Sequence, residues 1–188
     1  GQGPADLARC LESVRPAEID QIILVDTGIG EEGRRVLEAE SRFRQEQGLP
    51  AIEVPVFAWR DDFAAARNEG LKHIKTDFFF WADHDDEVEN PQALRVLIEE
   101  VHSDGEVAGF LLPYRYAFDE YGSCTTLHDR ERLLRTEVGW HWARRLHEVL
   151  VPHRGVQWLK EDRVIFNHRR GRESHSERNL SLLFKMAE

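Results

Sequence analysis

Apolar residues recur at helical spacing at the start of the chain and then give way to short, continuous apolar runs. Four residues fall on one face of a predicted first helix: Leu7, Cys10, Leu11 and Val14. The run QIILVD has the length and composition of a buried strand, and it ends at Asp26. The glycine-containing stretch TGIGEEG leads from there into a helical pattern from about Arg34 to Gln47. This part is therefore predicted as a strand, a turn and a helix.

The same alternation continues through the middle of the chain. AIEVPVF predicts a second short strand, and RDDFAAARNEGLKHIK predicts a helix capped by Asp61 or Asp62. DFFFWAD predicts a third strand, and NPQALRVLIEEVHS predicts a helix with Asn90 as its N-cap and Pro91 at its first position. Strands that alternate with helices in this way indicate an α/β fold with a doubly wound, mostly parallel sheet.

The pattern changes after Gly105. VAGFLLPYRYAFDEYG predicts a strand and a turn, and the stretch that follows it, up to Pro152, predicts mixed structure around a tryptophan pair. VQWLKEDRVIFNH predicts a terminal strand, and SERNLSLLFKMAE predicts a final helix. Because we find no internal repeat, low-complexity segment or linker in the sequence, residues 1–188 are predicted to form a single domain.

Composition narrows the classes of function. The 188 residues are 41% hydrophobic, which is enough for one domain with a sizeable core. Lys and Arg number 25 against 35 Asp and Glu, so the net charge of −10 disfavours binding to nucleic acid or to an anionic membrane. Cys10 and Cys124 match neither a disulfide framework nor a metal-knuckle spacing, which favours reduced thiols. No apolar run approaches the ~20 residues that span a bilayer, and GQGPADLARC does not resemble a signal peptide. We therefore expect a cytoplasmic protein without a transmembrane segment.

Carboxylates gather where two of the predicted strands end. Asp26 ends the first strand, and Asp83, Asp85 and Asp86 end the third. In open parallel sheets, ligands bind beyond the carboxyl ends of the strands, and carboxylates collected there repel one another unless a cation lies among them. Such oxygen ligands suit Mg²⁺ or Mn²⁺, which bridge protein carboxylates to the phosphates of a nucleotide. Spacing alone leaves a solvated acidic loop as an equal alternative.

The order of six segments along the chain resembles one enzyme family. These segments are LARCLESV, IILVDTG, DDFAAARNEGL, FFFWADHDDEV, RRLHEVL, and VIFNH with the later RNLSLL. They resemble the landmarks of family 2 glycosyltransferases of the GT-A fold, and the resemblance covers nearly the entire chain. It implies an α/β fold of GT-A type, with a Rossmann-like, mostly parallel sheet flanked by helices. It also implies that residues 1–105 bind a nucleotide sugar and that residues 106–188 form the acceptor and catalytic half.

The resemblance assigns roles to residues of the donor site. It implies that Asp26 faces the nucleobase, although a strand-end helix cap is the alternative for this residue. Arg67 is expected near the nucleotide, where it would bond the base, a phosphate or Asp26, although an arginine on a helix is more often a surface residue. Asp83 is the expected partner of the ribose or the metal, Asp85 the direct metal ligand, and His168 the residue that completes the metal site.

Further features bear on the donor site and its metal. Arg169, Arg170 and Arg172 form a basic island suited to a diphosphate leaving group, with a solvated basic loop as the alternative. Asp86 stands where the family usually has glutamate. An imidazole beside carboxylates favours Mn²⁺ over Mg²⁺ as the cofactor.

Transfer of a sugar with inversion requires a base that takes a proton from the acceptor. Glu148 in RRLHEVL matches the family's HE landmark and is the preferred candidate, since a carboxylate near Trp140 and Trp142 is expected to have a raised pKa. His147 is expected to orient Glu148 or to touch the donor sugar. The competing base is Asp162 in LKED, because many relatives carry an ED pair for this purpose.

The sequence thus predicts a metal-dependent, inverting glycosyltransferase with UDP-hexose as the expected donor. The acceptor stays open between a protein, a glycan, a lipid and a small molecule. Two departures from the family favour a non-catalytic module that binds nucleotide or carbohydrate as the alternative. The loop DTGIGEE has Ile29 and Gly30 where relatives have hydroxyl residues, and the family's usual first strand before the first helix is missing. A partner chain, as in a homo-oligomer, could complete the sheet.

Overall fold

The computed structural model describes residues 3–169. Four α-helices lie in this range: α1 (Gly3–Val14), α2 (Glu31–Glu46), α3 (Phe63–Leu71) and α4 (Ala93–Val101). They correspond to the first four helices that the sequence predicts. The final predicted helix, together with Arg170 and Arg172 of the basic island, lies outside the described residues.

Eight strands follow one another in the same range. They are β1 (Phe78–Phe80), β2 (Asp86–Glu89), β3 (Val107–Phe118), β4 (Cys124–Arg135), β5 (Trp140–Ala143), β6 (Val149–Pro152), β7 (Gln157–Lys160) and β8 (Ile165–His168). The stretch predicted as one terminal strand forms both β7 and β8, because the turn at 161–164 interrupts it. β5 and β6 pair only with each other within the described range and form a small antiparallel hairpin.

The remaining six strands form one sheet around the long hairpin of β3 and β4. The strand order is β1-β4-β3-β8-β2, and β7 pairs with the same edge of β3 as β8, closer to the start of β3. β7 and β8 run parallel to β3, whereas the pairs β1–β4, β3–β4 and β2–β8 are antiparallel. The predicted α/β class, with helices flanking a Rossmann-like sheet, is confirmed. The strand directions are mixed because tight connections, rather than helical crossovers, join most strands of the second half.

The first two predicted strands are present as a short parallel pair of extended segments. Leu24 N donates to Glu53 O at 2.9 Å, and Asp26 N donates to Pro55 O at 2.8 Å. Pro55 has no N–H to return a bond, which limits the ladder to isolated bridges. The pair nevertheless brings Asp26 to the edge of the fold where the first strand ends.

Three clusters of buried side chains hold the elements together. The largest lies between α4 and the main sheet, where Leu97, Leu112 and Phe166 are inaccessible to solvent. A second cluster joins α3 to the β5–β6 hairpin and contains Trp140 and Trp142, as expected for tryptophans that fill a core. A third joins α1, α2 and the strand around Ile52. The site described below lies where the first two clusters meet.

The predicted role of Asn90 as the N-cap of α4 is wrong. Asn90 has a left-handed backbone with φ of 54°, whereas an N-cap residue has an extended backbone. Its side-chain amide instead donates to Arg163 O at 2.8 Å, in the turn between β7 and β8. The helix begins only at Ala93, because the residues after Asn90 first form a turn.

Asp62, one of the two caps proposed for α3, is confirmed. Its side chain accepts a hydrogen bond from Ala65 N at 2.9 Å, which satisfies an otherwise free N–H of the first helical turn. This cap fixes the start of α3, which carries Arg67 and Asn68.

Replacing Asp62 with alanine should lower the free energy of unfolding by about 1 kcal/mol, because the Ala65 N–H loses its acceptor. Urea unfolding followed by circular dichroism measures the change. Asp62→Asn is the matched control, since the amide oxygen can accept the same bond and the loss should be much smaller. Equal losses in the two variants would assign the effect to the ion pair between Asp62 and Arg145, whose atoms lie 3.8 Å apart.

Candidate active site

The pairing of β2 with β8 brings together residues that are far apart in the sequence. In this antiparallel pair, Asp86 lies directly opposite His168, and the ladder continues with a bond from Arg169 N to Asp85 O at 2.8 Å. Directly opposite residues of an antiparallel pair project their side chains to the same face. The late histidine is therefore placed beside the acidic loop, as the sequence predicts.

Asp85, Asp86 and His168 form a compact cluster. One carboxylate oxygen of each aspartate and a ring nitrogen of His168 all lie within 4.8 Å of one another. His168 Nδ1 is 3.7 Å from Asp85 Oδ1 and 3.5 Å from Asp86 Oδ1. Burial lowers the pKa of His168, but the adjacent Asp86 and Asp85 outweigh burial, so that this pKa is raised. The cluster thus attracts positive charge.

The atoms of this cluster fit a divalent cation. Asp86 Oδ1 and His168 Nδ1 are both buried and have no hydrogen-bond partner among the described residues. Buried polar atoms without a partner are costly and require an explanation such as a bound ion. Two carboxylates and one imidazole are a ligand set suited to Mn²⁺ or Mg²⁺. The residues present therefore fit the metal that the sequence predicts.

Asp86 was predicted to lie among the carboxylates at the strand end, but not to be a metal ligand. Its other oxygen, Oδ2, accepts a bond from Asp83 N at 3.0 Å and lies 3.1 Å from Arg132 Nη1. A signal for this placement was present in the sequence, because Asp86 and Val88 share a face of β2 and Val88 is apolar. Asp83, which was predicted as a metal ligand, is not among the residues of the cluster.

Arg67 forms the centre of a second group beside the cluster. Arg67 Nη2 donates to Asp83 Oδ1 at 2.6 Å, and Arg67 Nε donates to Glu148 Oε1 at 2.8 Å. The guanidinium carbon lies 4.8 Å from the ring centroids of both Trp81 and Trp142. Charged hydrogen bonds and cation–π contacts together fix this side chain between two carboxylates. The setting of Glu148 is therefore ionic as well as aromatic.

Asp83 connects the two groups. Its backbone N–H bonds Asp86, and its carboxylate bonds Arg67. Burial raises the pKa of Asp83, but Arg67 and Arg132 outweigh burial and lower this pKa to about 2. Burial raises the pKa of Cys10 to about 12, and its neutral thiol donates to Asp83 O at 3.4 Å. Asp83 is thus an ionised bridge between the cation cluster and Arg67.

The β5–β6 hairpin delivers Glu148 to this position. The side chain of Asn68 donates to Trp142 O at 2.9 Å and accepts from Trp142 N at 2.8 Å, so that α3 holds the backbone of β5. The hairpin turn then contains Arg144 with φ of 72° and His147 with φ of 53°. A left-handed backbone is strained in these residue types and persists only where surrounding contacts impose it. The turn directs Glu148 back towards Arg67.

Comparison with known proteins now identifies the family. Residues 2–155 match the family described as Glycosyl transferase family 2. The chain belongs to this family. The predictions of a family 2 glycosyltransferase domain and of its GT-A type α/β fold are confirmed. The division into halves at residues 1–105 and 106–188 stays a prediction.

Several solved structures have a fold similar to that of this family 2 glycosyltransferase domain. TarS 1-349 of S. aureus has a TM-score of 0.51 and 16% identity over 72% of this chain and 45% of that chain. The same protein in complex with UDP has a TM-score of 0.52 and 15% identity over 72% of this chain and 45% of that chain. HddC from Yersinia pseudotuberculosis has a TM-score of 0.53 and 11% identity over 85% of this chain and 77% of that chain.

The chain thus spans less than half of TarS 1-349, and at these identities the likeness concerns the fold. No curated protein sequence matches the chain. Among the helices of residues 3–169, none is both long and apolar enough to cross a membrane.

Asp26 of the family 2 domain is buried in the turn that follows the first extended segment. Its Oδ1 accepts bonds from Gly28 N at 2.8 Å and Ile29 N at 2.6 Å, and its Oδ2 lies 3.1 Å from Arg34 Nη2. The Ile29 N–H bond, which is partly opposed by burial, lowers the pKa of Asp26. Asp26 thus caps a turn rather than a helix, because α2 begins at Glu31 and its N-cap is Gly30. Its predicted contact with a nucleobase stays a prediction.

Three other predicted site residues of the domain lie at its surface. Arg169 Nε donates to Glu87 Oε2 at 2.7 Å, next to the cation cluster. His147 is exposed in the hairpin turn. Asp162 is exposed in the turn between β7 and β8, and none of its contacts within residues 3–169 reaches Glu148 or Arg67. The structure thus places Glu148, but not Asp162, in contact with Arg67.

The lowered pKa of Asp26 has a consequence for stability. Because folding favours its ionised form, the carboxylate stabilises the fold above its ordinary pKa of about 4 and loses this effect as the pH falls below that value. Asp26→Asn should therefore be less stable than the wild type near neutral pH, and the difference should shrink in acid. Urea unfolding at pH values of about 7, 5 and 3 measures it.

Glu38→Gln is a suitable control because Glu38 is exposed on α2. A difference between wild type and Asp26→Asn that stays constant over the whole pH range would contradict an ionised, stabilising Asp26.

Proposed function

We propose that this domain is a metal-dependent glycosyltransferase that transfers a sugar, with inversion, from a nucleotide-diphosphate donor such as UDP-hexose. The observation that carries the proposal is the direct link between a cation cluster and a candidate base. Asp86 belongs to the cluster, Asp83 N donates to it, and the Asp83 carboxylate shares Arg67 with Glu148. One connected site thus contains groups for the leaving diphosphate and for the acceptor.

Asp85, Asp86 and His168 would hold the cation. When bound, Mn²⁺ or Mg²⁺ neutralises charge on a diphosphate, and the imidazole ligand favours Mn²⁺. Arg169 extends positive charge next to the cluster, where it would contact a departing diphosphate. Arg170 was predicted for the same role. The UDP complex of TarS 1-349, a protein of similar fold, supports uridine as the nucleoside of the donor.

Glu148 is the group that would take the acceptor proton. Arg67 bonds its Oε1, and the contacts within residues 3–169 leave its Oε2 without a protein partner. In the proposed reaction, an acceptor hydroxyl gives its proton to Glu148 Oε2. At the same time, the oxygen of that hydroxyl forms a bond to the anomeric carbon of the sugar. The bond from that carbon to the diphosphate oxygen breaks, and the nucleoside diphosphate leaves with the bonding electrons. Attack opposite the leaving group inverts the anomeric configuration.

Arg67 would hold Glu148 in place. Its Nε donates to Glu148 Oε1 at 2.8 Å, and its Nη2 donates to Asp83 Oδ1 at 2.6 Å, so that the guanidinium fixes the position of Glu148 relative to Asp83. The side chain is 21% exposed, which leaves it one accessible flank.

Glu148→Gln should reduce turnover by about 10²–10⁴-fold, because the amide cannot accept the proton, while UDP affinity stays close to that of the wild type. UDP release from UDP-sugars in the presence of Mn²⁺ measures turnover, and calorimetry measures UDP binding. Asp162→Asn is the comparison, with turnover expected near the wild-type value. Loss of turnover in Asp162→Asn alone would transfer the role of base to Asp162.

Removal of divalent cations with a chelator should abolish turnover, and Mn²⁺ should restore it at lower concentration than Mg²⁺. His168→Asn should reduce that preference for Mn²⁺, because the imidazole ligand is lost. His84→Asn is the matched control, since His84 is an exposed histidine of the same acidic loop. Wild-type protein that binds UDP with Mn²⁺ but releases no sugar from any donor would support a non-catalytic binding module instead.

A further inference from the structure

Arg132 is a charged residue in the interior of the protein, directly behind the cation cluster. It lies on β4, and neither its side chain nor that of Asp86 has any solvent exposure. Arginine is rarely fully buried, because the removal of its charge from water is strongly unfavourable. A buried arginine therefore requires a specific explanation.

The surroundings of Arg132 only partly compensate for this burial. Its guanidinium carbon lies 3.7, 4.4 and 4.6 Å from the ring centroids of Trp81, Tyr114 and Phe166. Nη1 donates to Trp81 O at 2.9 Å and lies 3.1 Å from Asp86 Oδ2. Nε and Nη2 are buried and have no hydrogen-bond partner among the described residues. Apolar side chains of similar volume in place of both Arg132 and Asp86 would often give equal or greater stability.

What Arg132 does that an apolar side chain cannot do is determine the orientation of Asp86. Arg132 Nη1 and Asp83 N both engage Oδ2 of this carboxylate, on the side away from His168. The other oxygen, Oδ1, is then turned towards His168 Nδ1, at 3.5 Å. With both contacts on one oxygen, rotation of the carboxylate would break two interactions at once.

We propose that Arg132 is a positioning residue that holds Asp86 with Oδ1 presented as a ligand for a divalent cation. The inference rests on the cation site of the proposed function and does not require sugar transfer. Residues that hydrogen-bond a metal ligand from behind determine its orientation, and their loss typically weakens metal binding by 10–100-fold.

A purely electrostatic role for Arg132 predicts the opposite effect. A guanidinium close to the cluster repels a second cation, so its removal would strengthen metal binding if charge alone mattered. The sign of the change in metal affinity therefore separates positioning from electrostatics.

The experiment uses the full chain and Mn²⁺ alone, without nucleotide. Free Mn²⁺ is followed by electron paramagnetic resonance, and folding of each variant is checked by circular dichroism and urea unfolding. Arg132→Met should weaken Mn²⁺ binding by about 10–100-fold in folded protein, whereas Arg132→Lys, which retains a donor for Asp86, should retain most of the affinity. Unchanged or tighter binding in Arg132→Met overturns the proposal.

A second comparison applies even when Arg132→Met does not fold. The variants Asp86→Asn and Asp86→Asn/Arg132→Met remove the carboxylate charge in both cases, and the double variant leaves no unpaired buried charge. If Arg132 acts through Asp86, these two proteins should bind Mn²⁺ equally, and a clear difference between them overturns the proposal. Wild-type Mn²⁺ affinity in both Asp86→Asn and His168→Asn would overturn the cation site itself.

Discussion

The register between β2 and β8 is the constraint on which the candidate site depends. Val88 of β2 lies opposite Phe166 of β8, and both are buried in the main core. A slip of one residue would turn these side chains out of the core, so apolar burial determines the register. The same register places Asp86 opposite His168. The geometry of the cation cluster is thus a consequence of hydrophobic packing two residues away.

Guanidinium groups beside the carboxylates reduce the repulsion among the negative charges of the site. The chain has a net charge of −10, yet Asp83, Asp86 and Glu148 each have a guanidinium beside them. Arg67 lies between Asp83 and Glu148, and Arg132 lies behind Asp86. Aromatic rings enclose both cations and lower the local dielectric, which strengthens each ion pair. The protein therefore keeps these carboxylates oriented where a substrate or cation would meet them.

The sequence predicts local features of this structure better than it predicts contacts between distant segments. The cap Asp62 follows from a short pattern, because a cap depends on neighbouring residues, whereas His168 was assigned through the resemblance to the family. Asn90 was misassigned since a contact with a distant turn holds it in a left-handed conformation. Asp86 could have been assigned from the two-residue period of β2. Arg132 could not, because the rings that bury it come from three separate parts of the chain.

The two hydrogen bonds between the Asn68 side chain and the backbone of Trp142 affect how the sequence of such a domain can change in evolution. Both bonds from Asn68 go to the main chain of residue 142, so they do not depend on which side chain that position carries. The hairpin can accept substitutions at its exposed positions, such as His141, while its anchor stays in place. The exposed surface of this hairpin could therefore change by mutation without displacement of Glu148.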